Sequence, residues 1–437
     1  MSPDRAQYKL SRRQAMYTVG LLSAIALFNG IDLSILPAVS SLLQREFSLA
    51  DYQVGALGAA YVLVYAFAVI PFGVWSDGGA RRLVVGFGVM IWSLATAISA
   101  ATQNFAQLVV ARGAVGFGEA SYLPAGNSLV GDLYPREQRA RALSFINAAF
   151  RAGIAFGVLG GAALAAALGW RAAFLIAALP GFVLGFLALR LREPGRGAGE
   201  AMPATLRITG EYDWGAYRQL LRIPTVRPVI LAVSLCLFVS QGAGFWMPLY
   251  LQRHFGIGVA QAGAIAGLPL LVGGLIGTFG GGWIGDWRAR KTPRGYLEVA
   301  IASLVLAAVA LFAVYSAPTL PLLAAAWFFG SMFLSVWIPV LQAQVQLVVI
   351  PVMRASGITL TLLAGNLFGN ALAPPVIGGV SGALHSLSLA LLLLVPALTL
   401  VAALSLIPAL STAAKDSAAM DASWRARLQT AFAPPPA

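Results

Sequence analysis

Four charged side chains fall inside long apolar stretches of the sequence, where each of them needs a physical reason. They are Asp32, Arg112, Glu119 and Arg151. An ionised side chain held in hydrocarbon costs roughly 2.5 to 3.5 kcal/mol on insertion scales, so such residues are rarely retained without a role. Carboxylates and guanidinium groups in such places can bind protons, exchange ion-pair partners or recognise a charged ligand.

The spacing of Arg112 and Glu119 places them on one face of a helix. Seven residues correspond to two turns and roughly 10 Å of axis, so we expect no tight pair between them. Asp32, on another helix, could neutralise Arg112 in one conformation and release it in another. Burial and a nearby cation act in opposite directions on the proton affinity of a carboxylate, so this exchange would link a proton to movement. The alternative is a permanent ion pair that only aligns two helices.

Other kinds of chemistry lack the residues they need. The sequence has one cysteine, Cys236, and two histidines, His254 and His385. This excludes a disulfide framework and argues against a zinc or haem site, so we expect no metal and no cofactor. A phosphate-binding loop of the Gly-x-x-x-x-Gly-Lys type is missing, which argues against an ATP-driven pump, and we expect no enzyme activity. The net charge of +13 comes from scattered basic clusters, so we expect no nucleic-acid partner.

The elements that position the buried charges are long apolar helices. Apolar residues make up 59% of the chain and charged residues 10%, against roughly 25% charged in a soluble protein. A membrane-spanning helix needs about 20 mostly apolar residues. By that measure the sequence predicts an all-α membrane protein with twelve transmembrane helices, at 16–38, 53–75, 83–101, 106–131, 142–166, 171–189, 229–251, 260–284, 297–315, 320–349, 356–383 and 387–409.

The distribution of basic residues predicts the orientation of these helices. If the N-terminus is cytoplasmic, 24 of the 29 lysines and arginines lie on the inner side and only Arg45, Arg171 and Arg253 on the outer side. Basic residues concentrate on the cytoplasmic side of membrane proteins. We therefore expect a multi-pass protein of a bacterial inner (plasma) membrane, with both termini in the cytoplasm, acting as a monomer among membrane lipids.

The predicted helices fall into two groups of six. The expected divisions are an N-terminal bundle at 1–189, a cytoplasmic linker at 190–228, a C-terminal bundle at 229–409 and a disordered cytoplasmic tail at 410–437. Within the linker, Trp214, Tyr217 and Leu221 recur at helical spacing beside Arg218 and Arg222. This pattern is compatible with an amphipathic helix on the membrane surface and equally with an irregular linker.

A charged motif occurs twice, each time after the second helix of a half. The copies read Gly73-Val-Trp-Ser-Asp77-Gly-Gly-Ala-Arg81-Arg82 and Gly282-Trp-Ile-Gly-Asp286-Trp-Arg-Ala-Arg290-Lys291, 209 residues apart. Parallel repeats of six helices characterise one transporter architecture. The motif and its repetition resemble the major facilitator superfamily over essentially the whole chain. The resemblance implies the major facilitator fold, with two six-helix bundles.

The same resemblance implies a gate. In that superfamily the acidic and basic residues of the motif hold the inner side shut. By resemblance, the gating residues are Asp77, Arg81, Arg82, Asp132 and Arg139, with Asp286 and Arg290 as the counterpart in the second half. The alternative is that these are interfacial charges that only fix topology.

Helix 4 carries a more specific pattern around Glu119. It reads Arg112-Gly-Ala-Val-Gly116-Phe-Gly118-Glu119-Ala-Ser121-Tyr122, accompanied by Asn29 and Asp32 in helix 1 and Trp92-Ser93-Leu94 in helix 3. These residues resemble the spinster family of carriers, and the sequence departs from its pattern at Leu33, where many relatives have arginine. The resemblance implies alternating-access transport of sphingolipids, lysophospholipids or similar amphiphiles, with proton coupling.

The substrate site is expected to be charged on one side and apolar on the other, with only neutral polar groups in the second half. The candidate substrate-binding residues are Arg112, Glu119, Tyr122, Arg151, Gln241, Trp246, Trp337, Gln342, Asn366 and Asn370. Such a site would suit an amphipathic molecule. Two alternatives stay open: a carrier for a small organic anion or drug whose carboxylate Arg112 binds, and a packing role for any of these side chains. Arg151, nearer a helix end, could also extend its charge to the interface.

Overall fold

The computed structural model describes residues 10–134, 136–195, 214–350 and 353–431, and these residues are almost entirely helical. No strand occurs among them. The helices, in chain order, are α1 Arg12–Phe47, α2 Asp51–Gly78, α3 Arg81–Ala101, α4 Phe105–Glu119, α5 Tyr122–Leu133, α6 Arg136–Leu168, α7 Trp170–Leu189, α8 Trp214–Arg222, α9 Val226–Phe255, α10 Val259–Ala289, α11 Gly295–Ser316, α12 Leu320–Ser335, α13 Trp337–Val348, α14 Arg354–Gly365, α15 Ala373–Leu384, α16 Leu387–Ser405 and α17 Ile407–Ala431.

The predicted all-α membrane protein is confirmed. Within the described ranges, eleven helical spans are long and apolar enough to cross a bilayer. The twelfth predicted span is present as the broken pair α4 and α5. It breaks because the N–H and the hydroxyl of Ser121 both donate to the carbonyl of Gly118, at 3.2 and 2.8 Å, which closes a tight turn in place of a regular helical turn.

The described chain forms two compact units whose boundaries differ from the predicted halves. The first unit comprises the described part of Met1–Thr209 together with Gly244–Leu271 and Pro374–Ala383. The second comprises the described part of Gly210–Ala243, Val272–Ala373 and Leu384–Ala437. Two segments of the predicted second half therefore pack with the first half.

Glycines explain how the helices of the first unit approach so closely. A Cβ atom built on Gly30 of α1 would lie 2.3 Å from the carbonyl oxygen of Phe150, and one on Gly153 of α6 would lie 2.0 Å from that of Leu27. Because neither position has room for a side chain, α1 and α6 are in backbone contact. This contact fixes the part of α1 that carries Asp32.

The second unit contains a correction to the predicted tail. Residues 410–431 belong to helix α17 and are not disordered, so that prediction is wrong up to Ala431. The reason is a polar anchor: Asp416 Oδ2 accepts hydrogen bonds from the backbone N–H and the hydroxyl of Thr225, at 2.9 and 2.6 Å. An alanine-rich segment with high helix propensity is thereby tied to the start of α9.

Helix α8 forms where the linker pattern allowed an amphipathic helix. Leu220 is fully buried, whereas Leu221 is 41% exposed. The side chains of Trp214 and Tyr217, which define the predicted apolar face, lie outside the described residues. The described part of α8 thus packs on the protein through Leu220 rather than through the predicted Leu221.

Candidate functional site

Three of the four charges that the sequence places in apolar stretches are buried together in the first unit. Asp32 lies on α1 and is 3% exposed, while Arg112 and Glu119 lie on α4 at 1% and 0%. Arg112 Nη1 is 3.4 Å from Asp32 Oδ1, the pairing that the sequence predicts. The other oxygen of Asp32 accepts a hydrogen bond of 2.7 Å from the hydroxyl of Thr96, on α3. Asp32 is therefore held from two other helices.

Glu119 has a different set of neighbours. Its Oε2 accepts a hydrogen bond from the hydroxyl of Tyr61, on α2, and its Oε1 accepts none from the described residues. Arg112 and Asp32 both act on it electrostatically, but no ion pair joins Arg112 and Glu119 within the described part of the chain. The predicted separation of these two residues along α4 thus agrees with the structure.

The glycines of the helix 4 pattern explain how Tyr61 reaches Glu119. A Cβ atom on Gly116 would lie 2.3 Å from the carbonyl oxygen of Tyr61, and one on Gly118 would lie 2.5 Å from the backbone nitrogen of Trp92. Any larger residue would push α4 away from α2 and α3. The glycines therefore set the depth and the partners of the carboxylate that follows them.

Aromatic rings surround the guanidinium of Arg112. Its Cζ is 5.8 Å from the centre of the Tyr61 ring and 5.9 Å from that of Phe174, on α7. Its Nε has no hydrogen-bond partner among the described residues. Cation–π contact with the two rings partly compensates for the lost hydration of this charge.

Three further predicted substrate residues in the first unit form no ion pair with the described residues. Tyr122 is buried and packs edge to face on Trp92, with ring centres 6.5 Å apart. Arg151 is half-buried on α6 and forms no ion pair with a described residue. Trp246 is fully buried against Phe245, so the predicted aromatic surface is enclosed at this position.

The predicted residues of the second unit are neutral and, apart from Trp337, half-buried. Trp337 is 3% exposed, so here too the predicted aromatic surface lies within the packing. Gln241 and Gln342 are half-buried. Asn370 Nδ2 donates to Asn366 Oδ1 at 2.8 Å within a π-helical turn at Asn366–Asn370. Such turns are frequent at functional sites, which keeps this pair a candidate.

The first copy of the charged motif forms a buried cluster around Arg81. Arg81 is 1% exposed and pairs with Asp132, another of the expected gating residues, and with Glu193, whose Oε2 is 3.4 Å from the Nε of Arg81. Its Nη1 also donates to Ser128 Oγ at 3.1 Å, and its Nη2 to the carbonyl of Pro194 at 3.1 Å. The guanidinium therefore joins the start of α3, the end of α5 and the segment after α7.

Glu193 is a member of this cluster that the sequence reading missed. Its carboxylate accepts the backbone N–H groups of Arg81 and Arg82, at 3.2 and 3.0 Å, and so caps the N-terminus of α3. Of the other predicted gating residues, Arg139 Nε donates to the carbonyl of Tyr134 at 2.9 Å. The side chain of Asp77 lies outside the described residues.

The second copy of the motif makes its own set of contacts. Asp286 accepts a hydrogen bond of 2.8 Å from Tyr296, and Arg288 pairs with Glu298 at 2.6 Å. The described residues show no side-chain pair between Asp286 and Arg290, and the gating role expected for these two residues stays a prediction. Arg290 follows the end of α10, where its backbone N–H donates to the carbonyl of Asp286 at 3.1 Å.

A second polar network in the first unit was not predicted, and we call it the Asp51 network. Arg253 of α9 binds both carboxylate oxygens of Asp51, at 2.9 and 2.7 Å, and Gln44 of α1, at 2.9 Å. Gln44 Nε2 and the hydroxyl of Ser381, on α15, also donate to Asp51, at 2.7 and 2.6 Å. Four helices thus meet at one carboxylate at the start of α2.

The comparisons with known proteins agree with this architecture. The family profile of the Major Facilitator Superfamily matches residues 22–297. The probable L-galactonate transporter of Escherichia coli is 28% identical, over 65% of each chain. The sphingosine-1-phosphate transporter SPNS2 of Xenopus tropicalis is 27% identical, over 87% of this chain and 76% of its own.

A solved structure shares the fold. A bacterial homologue of the human lysosomal transporter Spinster, in an inward-facing and unoccupied conformation, superposes with a TM-score of 0.80 at 24% identity, covering 94% of this chain and 99% of that one. The predicted resemblance to spinster carriers is confirmed. The chain is a multi-pass membrane transporter, not an enzyme, and it belongs to the major facilitator superfamily.

Proposed function

We propose that this transporter moves an amphipathic, lipid-like substrate by alternating access and couples that movement to protons through Glu119. The observation that carries the proposal is the state of Glu119. It is fully buried, one of its oxygens is bound by Tyr61, and the other accepts no hydrogen bond from the described residues. A buried carboxylate with a hydrogen bond to only one of its oxygens is a natural place for a proton.

Charge counting supports the coupling. Asp32 and Arg112 together are neutral, so an ionised Glu119 gives the cluster a charge of −1 and a protonated Glu119 gives it none. Burial disfavours the charged form. A proton is therefore favoured while the cluster is closed and can leave once water reaches it or Arg112 turns from Asp32 toward Glu119.

The proposal of a lipid-like substrate rests on the family comparison together with this site. The name of one relative specifies sphingosine-1-phosphate, a molecule with an anionic head and an apolar chain. The name of another specifies L-galactonate, a small organic anion, which keeps that alternative open. In either case an anion at Arg112 would have to compete with Asp32, which lies 3.4 Å from Nη1.

Transport in proteoliposomes distinguishes the two substrate classes. We expect the purified protein to move a fluorescent lysophospholipid across the bilayer several-fold faster than protein-free liposomes, measured by extraction with external albumin, and a proton gradient to change the rate. L-galactonate uptake should stay at background. The reverse pattern, sugar-acid uptake without lipid movement, would establish the organic-anion carrier instead.

The same alternating-access proposal gives the two polar clusters of the first unit their roles. Asp51 begins α2 and the motif around Arg81 follows its end, so they are separated by roughly 40 Å of helix axis at 1.5 Å per residue. We assign the Arg81 cluster to the inner gate and the Asp51 network to the outer gate. A close backbone contact between α2 and α15 supports closure of the outer gate, because a Cβ atom on Gly55 would lie 2.4 Å from the carbonyl oxygen of Pro374.

Removing Arg253 should loosen the outer gate. In a Cys236→Ser background, Val54→Cys reports access to a position that is fully buried one turn after Asp51. We expect Arg253→Gln to raise the rate of maleimide labelling of the detergent-purified protein by about fivefold, since partly exposed ion pairs contribute up to about 1 kcal/mol. Arg45→Gln removes a neighbouring exposed arginine and should leave labelling unchanged. Equal labelling rates for the Val54→Cys reporter alone, with Arg253→Gln and with Arg45→Gln would exclude a gating role for Arg253.

A further inference from the structure

A basic cleft opens beside the inner-gate motif, between the start of α3 and the end of α7. It encloses about 550 Å³ and is lined by Ala80, Arg82, Arg190, Leu191, Arg192 and Glu193. The three arginines are exposed, whereas Leu191 is 2% exposed and forms the floor. The cleft belongs entirely to the first unit.

The acids near this cleft are already engaged. Asp132 pairs with Arg81, and Glu193 binds Arg81 and the backbone of Arg82. Arg190 and Arg192 have no acidic partner among the described residues. Counting Arg81 and Arg82 with them, four guanidinium groups face two carboxylates, which leaves a net charge of +2 for an anion to neutralise.

An apolar stripe leads to the cleft along the surface of α7. Leu179, Val183 and Phe186 are 63%, 60% and 46% exposed, at spacings of four and three residues, and Arg190 follows four residues later on the same face. The guanidinium of Arg190 stacks on the ring of Phe186, with Cζ 4.2 Å from its centre. The stripe is part of a membrane-spanning helix, so lipid chains are its natural neighbours.

We propose that this cleft binds the phosphate of an anionic phospholipid whose acyl chain lies along the stripe of α7. Charge and apolar surface occur in the order that such a lipid presents them, with the phosphate at Arg190 and Arg192 and the chain at Phe186, Val183 and Leu179. Basic pockets at the ends of transmembrane helices are a known solution for recognising anionic head groups. Arginines that served only to fix topology would not need to converge on one cleft.

The test compares lipids and variants of the full-length protein in a neutral detergent. Phosphatidylglycerol should bind and raise the unfolding temperature, and phosphatidylcholine of the same chain length should do so much less. The double variant Arg190→Gln/Arg192→Gln should bind phosphatidylglycerol about thirtyfold more weakly by native mass spectrometry. The matched variant Arg12→Gln/Arg13→Gln loses the same charge from exposed positions on α1 and should bind like the unchanged protein.

Three outcomes would overturn the proposal. Equal binding of the two lipids would show that charge is not recognised. Equal losses in both double variants would show that only the overall surface charge matters. Full competition by soluble glycerol phosphate would identify a site for free phosphate rather than for a lipid. The single variant Arg190→Gln serves if the double variant does not fold, with about fivefold weaker binding expected.

Discussion

Replacing Glu119 by glutamine should abolish proton-dependent transport and leave the protein folded. The two side chains have nearly the same shape, and the hydroxyl of Tyr61 can donate to a glutamine carbonyl as it does to Oε2 of Glu119. The substitution also removes the possibility of a −1 charge in the cluster with Asp32 and Arg112. A protein fixed in the equivalent of the protonated state cannot release the proton that drives its cycle, so we expect the effect of the gradient to fall to background.

Transport of the fluorescent lysophospholipid, measured over a series of internal and external pH values, tests this prediction. Glu46→Gln is the matched control, because it removes a carboxylate of the same unit whose side chain is 39% exposed and pairs with Arg171. We expect that control to keep the pH dependence of the unchanged protein. A Glu119→Gln protein whose rate still follows pH would rule out Glu119 as the coupling residue.

The sequence predicts the site well at positions where an ionised side chain inside the membrane would cost free energy. Asp32, Arg112 and Glu119 stand out because hydrocarbon penalises each of them, and two of the three form the predicted pair. Tyr61 and Thr96 were missed because neutral side chains in an apolar helix resemble ordinary packing residues. Tyr61 recurs with Tyr65 at a spacing of one helical turn, with ring centres 6.1 Å apart, and that repeat is the signal that could have identified it.

Polar residues at helix ends are predicted less well, for a related reason. Asp51, Arg253 and Glu193 lie near helix ends, where a charged side chain can stay hydrated and needs no partner. The sequence therefore gives no reason to look for their partners, which are far away in the chain. The bond between Arg253 and Asp51 spans 202 residues, and that between Arg81 and Glu193 spans 112. Such contacts follow from how the helices pack.

The predicted fold and the predicted tail also differ in this way: hydropathy determines the first, and contacts in the folded protein determine the second. Hydropathy alone gives the number of spans, because the bilayer requires continuous apolar segments of known length. The order of residues 410–431 depends instead on contacts made in the folded protein, among them the burial of Ala413 and the hydrogen bond of Asp416 with Thr225. A moderately polar, alanine-rich segment gives no such signal in the sequence, and so the helix that follows Ile407 was read as a disordered tail.

Separating Asp32 from Arg112 should damage stability and transport in ways that can be told apart. Removing one partner of a buried ion pair leaves the other charge uncompensated and costs about 3–5 kcal/mol. Arg112→Gln would leave two neighbouring carboxylates in a closed site, and Asp32→Asn would leave a buried guanidinium whose Nε already lacks a partner among the described residues. Both single variants should therefore unfold at lower temperature in detergent and transport at background rates.

The double variant Asp32→Asn/Arg112→Gln decides between a switch and a fixed pair. It adds no unpaired charge to the cluster, so its unfolding temperature should return close to that of the unchanged protein, and the double-mutant cycle should give a large coupling energy. The exposed pair of Glu46 and Arg171, with side chains 39% and 43% exposed, should give a coupling below about 1 kcal/mol in the same experiment. If the pair only aligned α1 and α4, a stable double variant would also transport. Because the proposed cycle needs Arg112 to leave Asp32 and attract Glu119, we expect the stable double variant to remain inactive.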